Sequence, residues 1–128
     1  MIGKIIAGSS FGATVSYVMK EQSRILGFEG IEPPGVQDMV RDFKDQTLLN
    51  PRIKNAVGHI SLPFSPKDAD RLTDPAMAQI AREYMERMGI RNTLFLIVRH
   101  MDQAHPHCHI VYNRVGNDGQ TISDKNIK

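Results

Sequence analysis

The stretch that decides the fold is LFLIVRHMDQAHPHCHIVYN, residues 94–113. Residues 92–100 form an almost continuous apolar run, which is typical of a central strand in a sheet. Beyond a short connection that contains a proline, the sequence predicts a second strand over residues 107–115. Strands joined by a short connection pair in the antiparallel direction. We therefore expect a hairpin within a larger sheet.

The hairpin carries a cluster of histidines whose spacing matches a strand. Side chains at alternate positions of a strand share a face, so His107 and His109 project together and Cys108 lies on the opposite face. If His100 lies opposite His107 or His109 in the antiparallel ladder, all three imidazoles share one face. A register that differs by one residue would send His100 to the other face.

Three neutral imidazoles that converge from adjacent strands make an open metal site, with positions left for water and a substrate oxygen. A single buried histidine is more often a core residue. The repeat of His107 and His109 on one strand, with His100 across the hairpin, favours a metal site instead. Asp102 and His105 lie in the connection, where each is a candidate ligand, hydrogen-bond partner or loop residue. We predict that Asp102 orients a ligand imidazole, and His105 stays open.

The ligand set predicts a divalent ion without fixing its identity. Imidazoles bind Mn²⁺, Zn²⁺ or Ni²⁺ more tightly than Mg²⁺. Cellular abundance nevertheless favours Mg²⁺ or Mn²⁺ as the working ion, whereas a purified protein would carry Zn²⁺ or Ni²⁺.

The rest of the chain alternates predicted strands with predicted helices. Strands are expected at 1–7, 23–28 and 55–64. Helices are expected from Ser9 or Ser10 to Lys20, at 36–49, and from a cap at Thr73 or Asp74 to the residue before Gly89. This order predicts an α+β fold, a two-layer sandwich with a central antiparallel sheet of four or five strands and helices packed on it.

One tyrosine stands apart from the predicted core. In the first helix, Phe11 and Val15 belong to an apolar stripe, and Tyr17 falls off that stripe. Tyr84 lies on the predicted buried stripe of a later helix, and Tyr112 faces away from the paired histidines. By periodicity alone, Tyr17 is more often a half-exposed helix residue than a nucleophile.

Composition limits the class of protein. The chain has 128 residues, a formal net charge of +2 and one cysteine. Such a length fits one domain with a core, and a single cysteine excludes an internal disulfide. Since the sequence has no apolar run long enough to cross a bilayer and no signal peptide, we expect a cytoplasmic protein without membrane insertion. The abrupt end predicts that residues 1–128 are the N-terminal portion of a longer protein.

The histidine cluster resembles a known motif. The string from His100 to Arg114 resembles the third motif of plasmid relaxases, the mobilization nucleases of the HUH endonuclease superfamily. Residues 8–18 are similar to the first motif of that family, which carries a nucleophilic tyrosine. Residues 59–66 are similar to the second motif, which is built around a serine that contacts DNA. The likeness extends to relaxases of Bacteroides-type mobilisable elements.

The resemblance implies an activity. It implies nicking of one DNA strand at an origin of transfer, which leaves a 5′-phosphotyrosine and a free 3′-OH. By position, Tyr17 is then the nucleophile, the three hairpin histidines are the metal ligands and Ser61 contacts DNA. Either Asp102 or His105 is the candidate base. The implied partners are single-stranded DNA, accessory mobilization proteins and a coupling protein.

A DNA substrate would need basic side chains for its phosphates. The candidates in this sequence are Lys4, Lys20, Arg24, Lys54 and Arg114. Each is more often a solvated surface charge, so only clustering around the site would favour a role in DNA binding.

Three other functions fit parts of the pattern. A rolling-circle replication initiator of the same superfamily would use the same chemistry. A non-catalytic DNA-binding module with a structural metal would form no covalent DNA product. A metal-dependent hydrolase of small substrates would keep its turnover when Tyr17 is replaced by Phe.

Overall fold

A computed structural model describes residues 4–20, 22–101 and 105–123 of the chain. Its strands are β1 (Lys4–Gly8), β2 (Ser23–Glu29), β3 (Val57–Pro63), β4 (Phe95–His100) and β5 (His107–Asn113). Its helices are α1 (Phe11–Val18), α2 (Val36–Thr47), α3 (Asp74–Arg87) and a short 3₁₀ helix at Pro66–Arg71. The five strands form one antiparallel sheet in the order β1-β3-β5-β4-β2. The predicted α+β class is confirmed.

The helices begin where capping residues were expected. The Ser10 hydroxyl accepts a hydrogen bond from the Ala13 amide at 3.0 Å, and the Thr73 hydroxyl accepts one from the Ala76 amide at 3.2 Å. Such caps satisfy amides that have no partner inside the helix. The helix ends differ from the prediction: α1 stops at Val18 and α2 at Thr47, each about two residues early.

Helices cover both faces of the sheet. On one face, α1 and α2 pack against Val57, Leu96 and Val111. On the other face, α3 packs against a second cluster that includes Ile97 and Ile110. The sheet is therefore the middle layer, which adds a layer to the predicted two-layer arrangement. The order of elements in the sequence did not specify how the helices divide between the faces.

The α3 helix shows where the predicted core stripe shifts. Met77 and Ala81 are buried as expected, and Met85 is buried as well. Tyr84, predicted on the buried stripe, is only partly buried, and burial raises the pKa of its phenol. Met85 packs into the second core cluster, and Tyr84 packs against the edge of the same cluster.

A large aromatic side chain in the second core depends on a glycine. Tyr112 of β5 is fully buried, and its ring lies directly over Gly58 of β3, its partner in the ladder. A Cβ at position 58 would stand 2.2 Å from the Tyr112 ring. Glycine at this position therefore lets the aromatic ring cross the neighbouring strand.

No helix within the described ranges is both long enough and apolar enough to cross a membrane.

Candidate functional site

The three predicted ligands come together on one face of the sheet. The β4–β5 ladder pairs His100 with His107, which is one of the two registers that would align the imidazoles. His109 lies two residues further along β5 on the same face. One ring nitrogen from each histidine lies within 4.8 Å of those of the other two. His100 and His109 are buried, and His107 is partly buried.

Hydrogen bonds to carbonyl oxygens fix the tautomers of the first two imidazoles. His100 Nε2 lies 2.9 Å from the Val18 carbonyl oxygen, and His107 Nδ1 lies 3.3 Å from that of His105. A carbonyl only accepts, so each of these nitrogens carries the proton and donates it. The remaining nitrogens, His100 Nδ1 and His107 Nε2, then present lone pairs to each other across 3.2 Å.

Two lone pairs at that separation repel one another unless a proton or a metal cation lies between them. Bonds of about 2.0–2.1 Å from one ion to two imidazoles place the ligand nitrogens about 3 Å apart. The spacing of His100 and His107 therefore fits a shared divalent ion.

His109 supplies a third nitrogen with the same character. Its Nε2 is buried and makes no hydrogen bond within the described part of the chain. Orphaned polar atoms in a protein interior are rare and call for an explanation such as an unseen ion. Burial, followed by the nearby His100, lowers the pKa of His109 to about 3. The imidazole is therefore neutral at physiological pH, as a metal ligand must be.

A fourth histidine, to which the sequence analysis gave no role, contacts this cluster. His59 Nε2 of β3 lies 2.8 Å from His109 Nδ1. Burial, and then the proximity of His100, lowers the pKa of His59. Strand parity could have indicated this contact, because His59 lies on the same face of its predicted strand as Ser61, which the resemblance places at the site. The long-range pairing that brings β3 beside β5 was not visible in the sequence.

Tyr17 extends from the last turn of α1 over the histidines. Its ring centroid lies 5.6 Å from that of His109 and 6.1 Å from those of His59 and His100, in edge-on arrangements. The side chain is 50% exposed, as its position off the apolar stripe predicted. Lys20 follows one turn later, and its Nζ lies 5.1 Å from the Tyr17 ring centroid.

An open cavity adjoins the cluster. It has a volume of about 350 Å³ and is lined by Tyr17, Ser61, Pro63, His105, His107 and His109. Ser61 reaches it because it pairs with His109 in the β3–β5 ladder. His105 contributes its backbone carbonyl to the site, while its exposed imidazole lies at the edge. The predicted serine and tyrosine therefore share one concave surface with two of the three predicted ligands, His107 and His109.

Other predicted DNA-binding residues lie elsewhere. Arg24 is on the opposite face of the sheet, where its Nε contacts Asp74 Oδ2 at 2.6 Å. Arg114 donates from Nη1 to the Asn55 carbonyl at 2.6 Å and from Nε to that of Ile122 at 2.9 Å. These contacts hold the chain beyond β5 against the segment before β3. A role for either arginine in DNA binding stays a prediction.

Two further candidate DNA-binding lysines and one candidate acidic residue remain. Lys4 lies opposite Ser61 in the β1–β3 ladder, and Lys54 is exposed in the segment before β3. Asp102, predicted as a base or orienting group, lies outside the described residues.

Cys108 is not part of the metal cluster. It faces the second core cluster together with Ile110 and Tyr112, as strand parity predicted. Burial raises the pKa of its thiol to about 12, which leaves it protonated and a poor ligand.

Comparison with known proteins agrees with this geometry. The family model described as "Relaxase: MobA/VirD2-like, nuclease domain" matches residues 17–128. The matched segment begins at Tyr17 and contains all four histidines of the cluster. No curated protein and no solved structure gives a significant match.

Proposed function

Because the chain belongs to the relaxase family, we propose that it nicks single-stranded DNA at an origin of transfer through a tyrosine-linked intermediate. DNA nicking is the activity that membership of this family implies. The observation that carries the finer proposal is the position of the Tyr17 ring, 5.6 Å from that of His109 and above the histidine cluster.

The histidines form the metal-binding part of the proposed site. His100 Nδ1, His107 Nε2 and His109 Nε2 would hold a divalent ion, with Mg²⁺ or Mn²⁺ as the working ion and Zn²⁺ or Ni²⁺ in a purified protein. When bound, such an ion supplies charge neutralisation at an oxygen of the scissile phosphate. The cavity is lined by His107 and His109, so a phosphate within it would lie beside the proposed ion site.

Tyr17 is the proposed nucleophile. Its Oη forms a bond to phosphorus, and the bond between phosphorus and the 3′ oxygen breaks. The phenol gives up its proton, for which Asp102 or His105 is the proposed acceptor, and the leaving 3′ oxygen takes up a proton. The products are a 5′-phosphotyrosine and a free 3′-OH. The phosphodiester energy is retained in the adduct, so the reverse reaction can rejoin the strand.

The DNA strand is proposed to lie across the cavity. Ser61 lines that cavity, and Lys20 lies beside Tyr17, so both can reach phosphates next to the scissile one. In plasmid mobilization, accessory mobilization proteins and a coupling protein would act with the nicking domain in the cytoplasm. The likeness to Bacteroides-type relaxases stays a prediction.

The test is capture of the covalent adduct. The protein is incubated with Mn²⁺ and a panel of single strands from origins of transfer, and a nucleotide adduct is sought by mass spectrometry. We expect an adduct on Tyr17 and none in Tyr17→Phe. The matched control is Tyr84→Phe, which removes a phenol from α3 on the other face of the sheet and should leave the adduct yield unchanged.

Calorimetry accompanies this test, because Tyr17→Phe should still bind metal. An adduct of normal yield in Tyr17→Phe would contradict the proposed nucleophile. Hydrolysis of small phosphate esters that survives this substitution would favour the alternative of a metal-dependent hydrolase.

A further inference from the structure

We propose that His59 is a positioning residue that sets the tautomer of His109 and so directs the His109 Nε2 lone pair toward the other two ligands. This inference rests on the proposed metal site and assigns a role to a residue outside the ligand set. His59 belongs to β3, a strand that contributes no ligand.

The contact between the two imidazoles is short and well supported. His59 Nε2 and His109 Nδ1 are 2.8 Å apart, and their ring centroids are 4.9 Å apart with a tilt of 35°. In the β3–β5 ladder His59 lies opposite Val111, two pairs from the Ser61–His109 pair and on the same face of the sheet. The backbone ladder therefore holds both rings, so the nitrogens meet without a long flexible side chain.

One proton is shared between these two nitrogens, and its location decides whether the site can bind metal. If His109 Nδ1 donates to His59 Nε2, the His109 Nε2 lone pair is directed into the cluster. If His59 Nε2 donates instead, the neutral His109 carries its proton on Nε2, where an ion would bind. Only the first arrangement gives three lone pairs facing one point.

The other two ligands show why His109 needs such a partner. The second nitrogens of His100 and His107 are fixed by carbonyl oxygens of Val18 and His105, which can only accept. His109 has an imidazole at the equivalent place. Partners that accept from the outer nitrogen of a metal-binding histidine fix its tautomer and orientation, and their loss commonly weakens metal binding about 10- to 100-fold.

The experiment compares two substitutions of His59 that differ in hydrogen bonding. Glutamine places an amide near the position of Nε2 and can accept from His109 Nδ1, whereas leucine fills space without accepting. Calorimetric titration with Mn²⁺ and Zn²⁺ should give an affinity about 10- to 100-fold weaker for His59→Leu and close to wild type for His59→Gln. Ile6→Ala is the matched control, because Ile6 pairs with His59 in β1 and is half exposed.

A second measurement reads the tautomer directly. In the metal-free protein, ¹⁵N NMR of the imidazoles should show His109 protonated at Nδ1 in the wild type and in His59→Gln. In His59→Leu the Nε2-protonated form should appear. A role of His59 in packing alone would leave this ratio unchanged.

The outcomes separate this inference from the proposed function. Wild-type metal affinity in His59→Leu, or equal losses of affinity in His59→Leu and His59→Gln, would overturn the role of His59. The proposed metal site would still hold if His107→Ala abolishes metal binding. Failure of the wild-type protein to bind either ion would overturn both. Thermal unfolding in a chelator verifies the fold, and if His59→Leu does not fold, His59→Asn replaces it, because the shorter amide does not reach His109.

Discussion

In each of the three histidines, one ring nitrogen faces the other two residues and the second, outer nitrogen contacts a group outside the trio. A carbonyl holds the outer nitrogen of His100, another carbonyl holds that of His107, and an imidazole faces that of His109. With His109 protonated at Nδ1, as proposed, these contacts direct the inner nitrogens at one point. At the scale of single residues, the proposed site would then need little reorganisation when an ion binds.

The burial of His109 predicts how stability depends on pH. Its pKa in the folded protein is lowered to about 3, whereas an unfolded histidine titrates near about 6.5. Between these values the unfolded state binds a proton that the native state does not. The free energy of unfolding should therefore fall as the pH falls from about 6.5, by at most about 1.4 kcal/mol per pH unit from this group.

Urea unfolding at several pH values, in a chelator, measures this dependence. His109→Gln is the comparison, because it removes the titrating group and should flatten the profile between about pH 6 and pH 4. Parallel profiles for the two proteins would show that His109 does not carry the effect. His59 also has a lowered pKa and contributes with the same sign, so the variant should keep part of the slope.

At the scale of elements, α1 connects the proposed nucleophile to the proposed metal site. The carbonyl of Val18, the last residue of the helix, accepts from His100 Nε2. A C-terminal carbonyl of a helix has no partner inside the helix, so this bond satisfies it and fixes the helix end. Tyr17 precedes Val18 and is thereby placed over the ligand rings.

Asn113 ends β5 and joins it to α2. Its Nδ2 donates to the Phe43 carbonyl of α2 at 2.8 Å, and its Oδ1 accepts from the Val115 amide at 2.9 Å. Asn113 is fully buried. The resemblance placed this residue in a catalytic motif, but its contacts are those of a structural residue at the far end of the strand from His107.

Replacing Asn113 with Ala should therefore destabilise the fold without weakening metal binding. The buried Val115 amide loses its acceptor and the Phe43 carbonyl loses its second donor, and the expected loss is about 1–3 kcal/mol in the free energy of unfolding. Chemical denaturation measures it, and metal titration of the folded variant should give wild-type affinity. The control is Asn117→Ala, an exposed residue for which a change within about 0.5 kcal/mol is expected. A loss of metal affinity in Asn113→Ala without destabilisation would contradict this assignment.

The elements also show what the sequence could predict. Alternation in residues 107–113 assigned His109 and Cys108 to opposite faces, because strand parity is a local property. The side of the sheet that α3 covers could not be predicted, because it depends on packing between distant elements. The contact of His59 with the histidine cluster could not be predicted for the same reason. Its partner His109 lies 50 residues away, and only the β3–β5 register brings the two together.

For the molecule as a whole, the net charge of +2 says little about where DNA binds. The structure separates the candidate cations: Lys20 lies at the site, while Arg24 lies on the other face and Arg114 braces the chain beyond β5. The proposed binding of DNA therefore depends on the cationic side chains near the cavity and not on the net charge of the chain.

The proposed metal site links distant parts of the chain. Its candidate ligands come from β4 and β5, and their outer contacts come from α1, from β3 and from the connection before β5. Unfolding separates all of these, so an ion that binds only the folded chain should stabilise the whole molecule. At about 100 times its dissociation constant, such an ion adds about 2.7 kcal/mol, which corresponds to a rise of roughly 8–16 °C in Tm.

Calorimetric melting of the wild-type protein with and without Mn²⁺ or Zn²⁺ tests this prediction. The increase should disappear with a chelator and in His107→Ala, because only two ligands remain. His105→Ala is the matched substitution: it removes an imidazole from the same connection but keeps the carbonyl that accepts from His107 Nδ1. It should retain the full increase. If His105→Ala loses the metal-dependent rise in Tm and His107→Ala keeps it, the His105 imidazole is a ligand and His107 is not. That result would contradict the proposed ligand set.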